Sequence, residues 1–309
     1  MSTSIEACKE SSIKAAQMIS SEGYNVGFCM TTYTEDTKGS YVSYDKFSNV
    51  HTAVEFIKKI TLCRPPNNPS VSASGDDGDE NLKHAMAEFA SQHNFDIPSI
   101  IFILTDAAYH PITDSSSKTA KCERAELQAL RASNDFFEIW NLFNKETCFV
   151  FPVIVSSPSC KHHYGLLAKE SDGIYIESPG QTATLSKLQV VLIKEIFERL
   201  SGGANPTNST SQIVDKLSEI VDLVKLFDCS GIPKIESEAD KTRVEPQLLN
   251  AQQAIAFFET QMEKLVKVAG KGWGKRCINF NPISLGVQFN LMIYTLKYFL
   301  GDESLKPQI

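Results

Sequence analysis

The feature that most limits how this chain can fold is the stretch at residues 99–110, Ser-Ile-Ile-Phe-Ile-Leu-Thr-Asp-Ala-Ala-Tyr-His. Its five consecutive apolar side chains, at 100–104, are too few for a helix and spell a strand buried on both faces, the kind found in parallel sheets. Asp106 stands at the carboxyl end of that strand. In open α/β sheets the loops diverge at that end and leave a crevice where ligands and metals gather. The strand and its aspartate are therefore the expected centre of the first domain.

The neighbouring segments support a sheet with helices on it. Residues 5–21 repeat apolar side chains at Ile5, Cys8, Ile13, Ala16, Met18 and Ile19, a helical period with a solvated face. Two strand-like runs, 26–33 and 41–47, lie on either side of a turn at 36–39 and predict a hairpin. Helical patterns follow at 50–62 and at 80–92. Between them lies a Pro- and Asn-rich loop that delivers the acidic cluster at 74–80, Ser-Gly-Asp-Asp-Gly-Asp-Glu. Carboxylates at a helix start are favoured by the macrodipole by roughly 0.3–1 kcal/mol each. Capping is thus one reading of the cluster, and a metal or ligand loop is the other. Beyond the central strand come a polar loop at 109–121 and a long helix at 122–143. A second buried strand follows at 147–155, in which Pro152 predicts a bulge or early disruption. A short helix at 162–169, with His162 and His163 at its surface start, a strand at 173–177 and an apolar helix at 185–200 complete the pattern. This alternation argues an α/β fold, a doubly wound and mostly parallel sheet over residues 1–200.

Residues 201–211 have the composition of a linker. Past them the strand signal fades, and helical patterns at 213–227, 247–268 and 283–300 predict a small all-helical region over 212–309. Within it, 230–246 is charged and proline-marked, hence a surface loop, and the basic turn at 270–276 reads as solvated. The net charge of −7 comes with no concentrated basic face, which argues against a nucleic-acid partner. No apolar run has spanning length, so no membrane role is expected. The eight cysteines form no CxxC pair or metal-ligand spacing, and read as reduced thiols in a cytoplasmic chain.

The order of helix, strand, hairpin strand, helix, acidic Gly-containing loop, helix and buried strand resembles a von Willebrand factor A (vWA) domain. Two pieces carry the resemblance. Gly75-Asp76-Asp77-Gly78-Asp79-Glu80 is similar to the Gly-Gly-Asp-x-Pro-Glu loop of intracellular members. Leu104-Thr105-Asp106-Ala107 with His110 is similar to their Thr-Asp-Ala-x-x-His segment. The likeness covers about residues 1–200 and is nearest to the A domains found beside atypical alpha-kinases, although no kinase signature is present.

The resemblance implies a Mg²⁺ or Mn²⁺ site, an octahedral shell of hard oxygen ligands that a partner's carboxylate can complete. By position, Asp106 matches the ligand after the fourth strand, and Asp77, or less closely Asp76, the ligand of the second loop. The first element, a strand ending Asp-x-Ser/Thr-x-Ser, has no counterpart. Met1 falls where the Met after that motif stands, so the domain is expected to lack its first central strand. A gene model starting at an internal methionine is the favoured explanation, and an isoform without that strand is the other. In the second case the strands at 26–33 and 100–104 lose their shared neighbour. Three functions follow. The leading one is a non-enzymatic protein-interaction module with an incomplete divalent-metal site. The others are a hydrolase using Asp106 with His110 or the His162-His163 pair, and a metal-free scaffold binding through its C-terminal helices. No nucleophile motif accompanies the hydrolase residues.

Overall fold

The structure, a computed structural model, describes residues 2–21, 28–47, 49–60, 79–93, 99–143, 148–155, 161–171, 174–200, 224–240, 244–250, 252–254, 256, 257 and 260. Helix α1 (Ser2–Ser21) precedes a hairpin of β1 (Phe28–Asp36) and β2 (Gly39–Phe47), paired antiparallel from Phe28 opposite Phe47 to Asp36 opposite Gly39. Helix α2 (Val50–Lys59) starts at Asn49, whose side chain accepts the Thr52 N–H and so satisfies one of the free amides of the first turn. Then come α3 (Leu82–Gln92), β3 (Ser99–Thr105), α4 (Lys118–Ala129), α5 (Phe136–Trp140), β4 (Cys148–Val155), α6 (Lys161–Glu170), β5 (Tyr175–Ser178), α7 (Thr182–Leu200), β6 (Lys225–Asp228) and β7 (Gln247–Leu248).

The described strands form two sheets, β1-β2 and β3-β4-β5-β6-β7. β3, β4 and β5 run parallel, and β6 and β7 join antiparallel. The fold is therefore mixed α/β. The apolar run of β3 is explained by its two covered faces. Phe102 and Leu104 pack against a cluster that includes Ala7 of α1 and Leu185, Leu188 and Leu192 of α7. Ile101 and Ile103 pack against the opposite cluster, which draws on Leu82 and Met86 of α3, Phe136 and Ile139 of α5 and Leu166 of α6. Consecutive apolar residues are what a strand between two helical layers requires.

Several expectations need correction. Pro152 does not break β4, which stays in register with β3 from Ser99–Cys148 to Thr105–Ile154. The ladder to β5 begins only at Val153, one residue past the proline, so the proline lies ahead of the second ladder. The single helix expected at 122–143 is two, α4 and α5, separated by a turn in which Arg131 takes the left-handed φ of 56°. That conformation is uncommon for a residue with a Cβ and ends a helix. The break lets Phe136, Phe137, Ile139 and Trp140 all turn into the core.

The region past residue 212 is not all-helical. Residues 225–228, the first three of which were expected to end a helix, form β6, and 247–248, expected to begin one, form β7. Between them, the expected surface loop buries Ile232 and Ile235. Cys229 and Ile232 close over α6 at Gly165, and Lys169 of α6 donates to the Ile232 carbonyl. The linker at 201–211, the turn at 270–276, the helix at 283–300 and the acidic residues 74–78 lie outside the described residues. No helix among those described is long and apolar enough to cross a membrane.

The α6 contact yields a mutational expectation. A Cβ on Gly165 lies 2.6 Å from Ile232 Cδ1 and 3.3 Å from Cys229 Sγ. Gly→Ala inside a helix ordinarily gains about 0.5–1 kcal/mol. Here Gly165→Ala should instead cost about 1–3 kcal/mol, the usual penalty of overpacking. Ile232→Val, which removes Cδ1, should recover part of that loss in the double variant. Urea unfolding of the single and double variants checks it, and a stabilised Gly165→Ala would contradict the packing.

Candidate functional site

The turn after β3 is built by Thr105. Its hydroxyl accepts the Ala107 N–H at 3.2 Å and also lies 3.2 Å from the Ala107 carbonyl, which Tyr164 additionally reaches with its hydroxyl at 3.2 Å. With Thr105 and Ala107 both buried, the chain bends through Asp106 and leaves its side chain half-buried at the carboxyl edge of the sheet. Among the described residues, Asp106 accepts no hydrogen bond and makes no ion pair. Two neighbours register its charge. Burial pushes the Cys8 thiol on α1 up to about 12, with Asp106 adding to the shift. Burial likewise raises the Tyr33 phenol on β1, opposed by a hydrogen bond with Thr105 and reinforced by Glu80 and Asp106. Cys8 of α1 and Tyr33 of β1 thus lie near Asp106, and Glu80 at the start of α3 lies near Tyr33.

That start is held at two points. The Glu80 N–H donates to the Ala108 carbonyl at 2.9 Å, and Asn81 Nδ2 donates to the Thr34 carbonyl at 3.1 Å. Asn81 is the residue that precedes α3, and it makes no side-chain cap there. Its amide is spent on β1 and on Ser40 instead.

His110, four residues from Asp106, points elsewhere. Its Nδ1 lies 2.9 Å from Glu123 Oε2, and its Nε2 lies 3.3 Å from Thr119 Oγ1 and 3.5 Å from Glu35 Oε1. All of these side chains are buried. No hydrogen bond or ion pair joins His110 to Asp106. Glu123 also accepts the backbone N–H of His84 at 3.0 Å, and His84 Nδ1 lies 2.8 Å from Ser40 Oγ. Burial alone would drive the His110 ring toward its neutral form. The hydrogen bonds with Glu123 and then Glu35 outweigh it and raise its pKa to about 10. His84, by contrast, is held low by burial. The expected surface histidines are also inside. His162 Nδ1 sits 3.0 Å from the Val244 carbonyl oxygen, and His163 packs among Tyr109 and Phe137.

A second buried charge pair starts from Lys83 in the first turn of α3. Lys83 Nζ is 3.5 Å from Glu238 Oε2, with both side chains almost wholly buried, and donates to the Asn134 carbonyl at 2.8 Å. Asp135 takes the Ser237 hydroxyl at 2.6 Å and the Glu238 N–H at 3.0 Å. Burial lowers the Lys83 pKa and raises that of Glu238 to about 7, each only partly offset by the other. Both shifts run toward the neutral forms, so desolvation outweighs the mutual attraction.

Asp106 follows the carboxyl end of β3 directly, but that strand, expected at the centre, stands at the edge of the described five-stranded sheet. Asp77 and Asp76 lie outside the described residues. Among the described residues, no group of three or more His, Cys, Asp or Glu side chains is set to hold a metal ion. The donors described round Asp106 do not suit Mg²⁺ or Mn²⁺ unaided. They supply one carboxylate beside a thiol that stays protonated, whereas hard divalent ions need several oxygens. Glu35, Glu123, Lys83 and Glu238 form buried charge pairs among the described residues, and no sequence signal marks them. Their partners are distant in the chain, and each reads locally as an ordinary solvated charge. In comparisons with protein-family models, curated proteins and solved structures, the chain matches none.

Two measurements test these clusters. The His110 pKa of about 10 lies above the ordinary 6.5, so between those values the folded chain holds a proton that the unfolded chain has lost. The associated stability is fully present below about pH 6.5 and fades as pH rises through about 10. Urea unfolding from pH 6 to 9 should show this decline, and Glu123→Gln should flatten it. At the second pair, Lys83→Met should cost about 3–5 kcal/mol, because it strands the buried Glu238 carboxylate. Adding Glu238→Gln should restore much of the loss. A double variant no more stable than Lys83→Met would show that the charge is not what costs.

Proposed function

We propose that this chain is a non-enzymatic protein-interaction module of the vWA kind, with Asp106 as the acidic anchor of its contact surface. One observation carries the reading. Asp106 is a half-buried carboxylate at the carboxyl end of a parallel strand, without a hydrogen-bond or ion-pair partner among the described residues. A carboxylate at such an edge with no protein cation beside it is open to a cation from outside. In the vWA reading the cation is Mg²⁺ or Mn²⁺, held by Asp106 together with Asp77 or Asp76, and a carboxylate of the partner protein completes its shell. The metal would polarise and orient that carboxylate, and the chain's own residues would fix where it binds.

The buried state of His110 favours this reading over a hydrolase. Both ring nitrogens are engaged, the ring is held protonated near neutral pH, and it shares no bond with Asp106. General acid–base work near pH 7 needs a group poised near that pH and within reach of its partner.

Quantitative affinity purification with the full chain, run with and without EDTA, tests the proposal. Asp106→Ala should abolish partner capture, and EDTA should do the same where the bridging cation is a metal. Partner binding unchanged in both the variant and the chelated sample overturns the proposal. Calorimetric titration with Mn²⁺ then separates a metal bridge from a basic side chain of the partner.

A further inference from the structure

A line of side-chain hydrogen bonds lies at the amino end of β3, the end opposite Asp106. Ser99 is the first residue of β3, and its hydroxyl lies 2.8 Å from His93 Nε2. His93 directly follows α3, and its Nδ1 lies 3.1 Å from the Tyr44 hydroxyl of β2. Tyr44 in turn donates to Cys29 Sγ of β1 at 3.6 Å. Tyr44, His93 and Ser99 are half-buried and Cys29 is exposed, so the line runs near the surface rather than through the core.

The direction of each bond follows from the far end. Because the Tyr44 O–H points to Cys29, the Tyr44 oxygen meets His93 with a lone pair, and Nδ1 carries the hydrogen between them. Nε2 is then the unprotonated nitrogen, and the Ser99 hydroxyl donates to it. Phe89 stacks on the imidazole, with centroids 4.5 Å apart and 18° between the planes, and so fixes the plane of the ring. Burial, and then the charge of Lys46, hold the His93 pKa down to about 4, so the ring is neutral at pH 7. A serine bonded to a neutral imidazole, whose other nitrogen is oriented by a third group, is the arrangement that activates a hydroxyl as a nucleophile. General-base strength falls with pKa, so a ring this weakly basic serves acyl donors that already carry a good leaving group.

We propose that Ser99 is an acylation site, whose hydroxyl takes the acyl group of an activated ester or thioester, with His93 as the base and Tyr44 as the positioning residue that orients the ring. Ser99 Oγ attacks the carbonyl carbon while Nε2 takes the hydroxyl proton. The C–O or C–S bond to the leaving group then breaks, and the departing alkoxide or thiolate takes that proton from Nε2. The products are an ester of Ser99 and a free alcohol or thiol, and no electrons are gained or lost. This goes beyond the Asp106 reading, because the chain is itself the acyl acceptor and Ser99 stands at the other end of β3.

The test mixes the full chain with p-nitrophenyl acetate, quenches in acid and maps the acetylated peptides by mass spectrometry. Ser99 should be acetylated about a hundredfold faster than the exposed Ser115, the low end of what a positioned base contributes. Diisopropyl fluorophosphate, whose adduct resists hydrolysis, should modify the same oxygen with loss of fluoride. His93→Gln should bring Ser99 down to the Ser115 rate. Labelling should persist at pH 5, where an imidazole of ordinary pKa, near 6.5, would be about thirtyfold less active. Nitrogen NMR of the ring should show the hydrogen on Nδ1. Tyr44→Phe should move it to Nε2 and slow labelling, a change of tautomer that a merely structural tyrosine would not control. Asp106→Ala should leave labelling unchanged, so this proposal and the Asp106 proposal fail independently. A Ser99 that neither reagent modifies faster than Ser115 overturns the inference, and the unsubstituted chain decides this whether or not the variants fold. Labelling that survives His93→Gln, or that falls away between pH 7 and 5, overturns it as well.

Discussion

The packing of β3 between two helical layers is the constraint on which the rest of the structure depends. Five apolar residues in succession leave this strand no solvent face, so both sides of the sheet must be roofed. α1 and α7 roof one side, and α3, α5 and α6 roof the other. The carboxyl end of β3 then becomes the place where the layers part, and Asp106 stands in that opening. Its position follows from burial of the strand before it and from the Thr105 turn, whose hydroxyl bonds keep Ala107 inside while the intervening side chain stays half out.

Segments outside regular elements are tied down by buried charge as well as by apolar contact. Lys83 and Glu238 join the start of α3 to the segment between β6 and β7, and Asp135 bonds that segment from the head of α5. His110 ties the chain after β3 to α4 through Glu123 and to β1 through Glu35. The two clusters differ in how well burial is offset. His110 lies between two carboxylates that hold its proton, whereas Lys83 and Glu238 are both driven toward neutrality. Buried ion pairs of the second kind bring little net stability, but breaking one side of them is costly. Their clearest consequence here is positional, in that residues 229–240 are drawn onto the sheet domain.

Much of residues 1–200 was legible because its signals are local. The hairpin of β1 and β2, the alternation of helix and strand, and Asp106 at a strand end all follow from hydrophobic period and turn residues. The misreadings have a common cause. Residues 225–228 carry apolar side chains that also fit a helical period, and only an available edge on β5 makes them a strand. The charged stretch at 230–246 has the local pattern of a surface loop, since nothing in its own sequence shows that Lys83 and Gly165 lie opposite. The burial of His162 and His163 is hidden from the sequence for the same reason. The long helix at 122–143 divides at Arg131, where turning four aromatic and aliphatic residues inward outweighs continuing the helix.

The chain's own order of residues specified a two-sided buried strand, the acidic residue at its end and the α/β class, because these depend on the period and identity of residues close together in the chain. The assignment of His110 to two glutamates, the burial of Lys83 against Glu238, and the addition of β6 and β7 to the sheet arose in the folded molecule. Each is a pairing between groups tens of residues apart or more, and burial or a free backbone edge gives such a pairing its energy only once the surrounding layers have assembled.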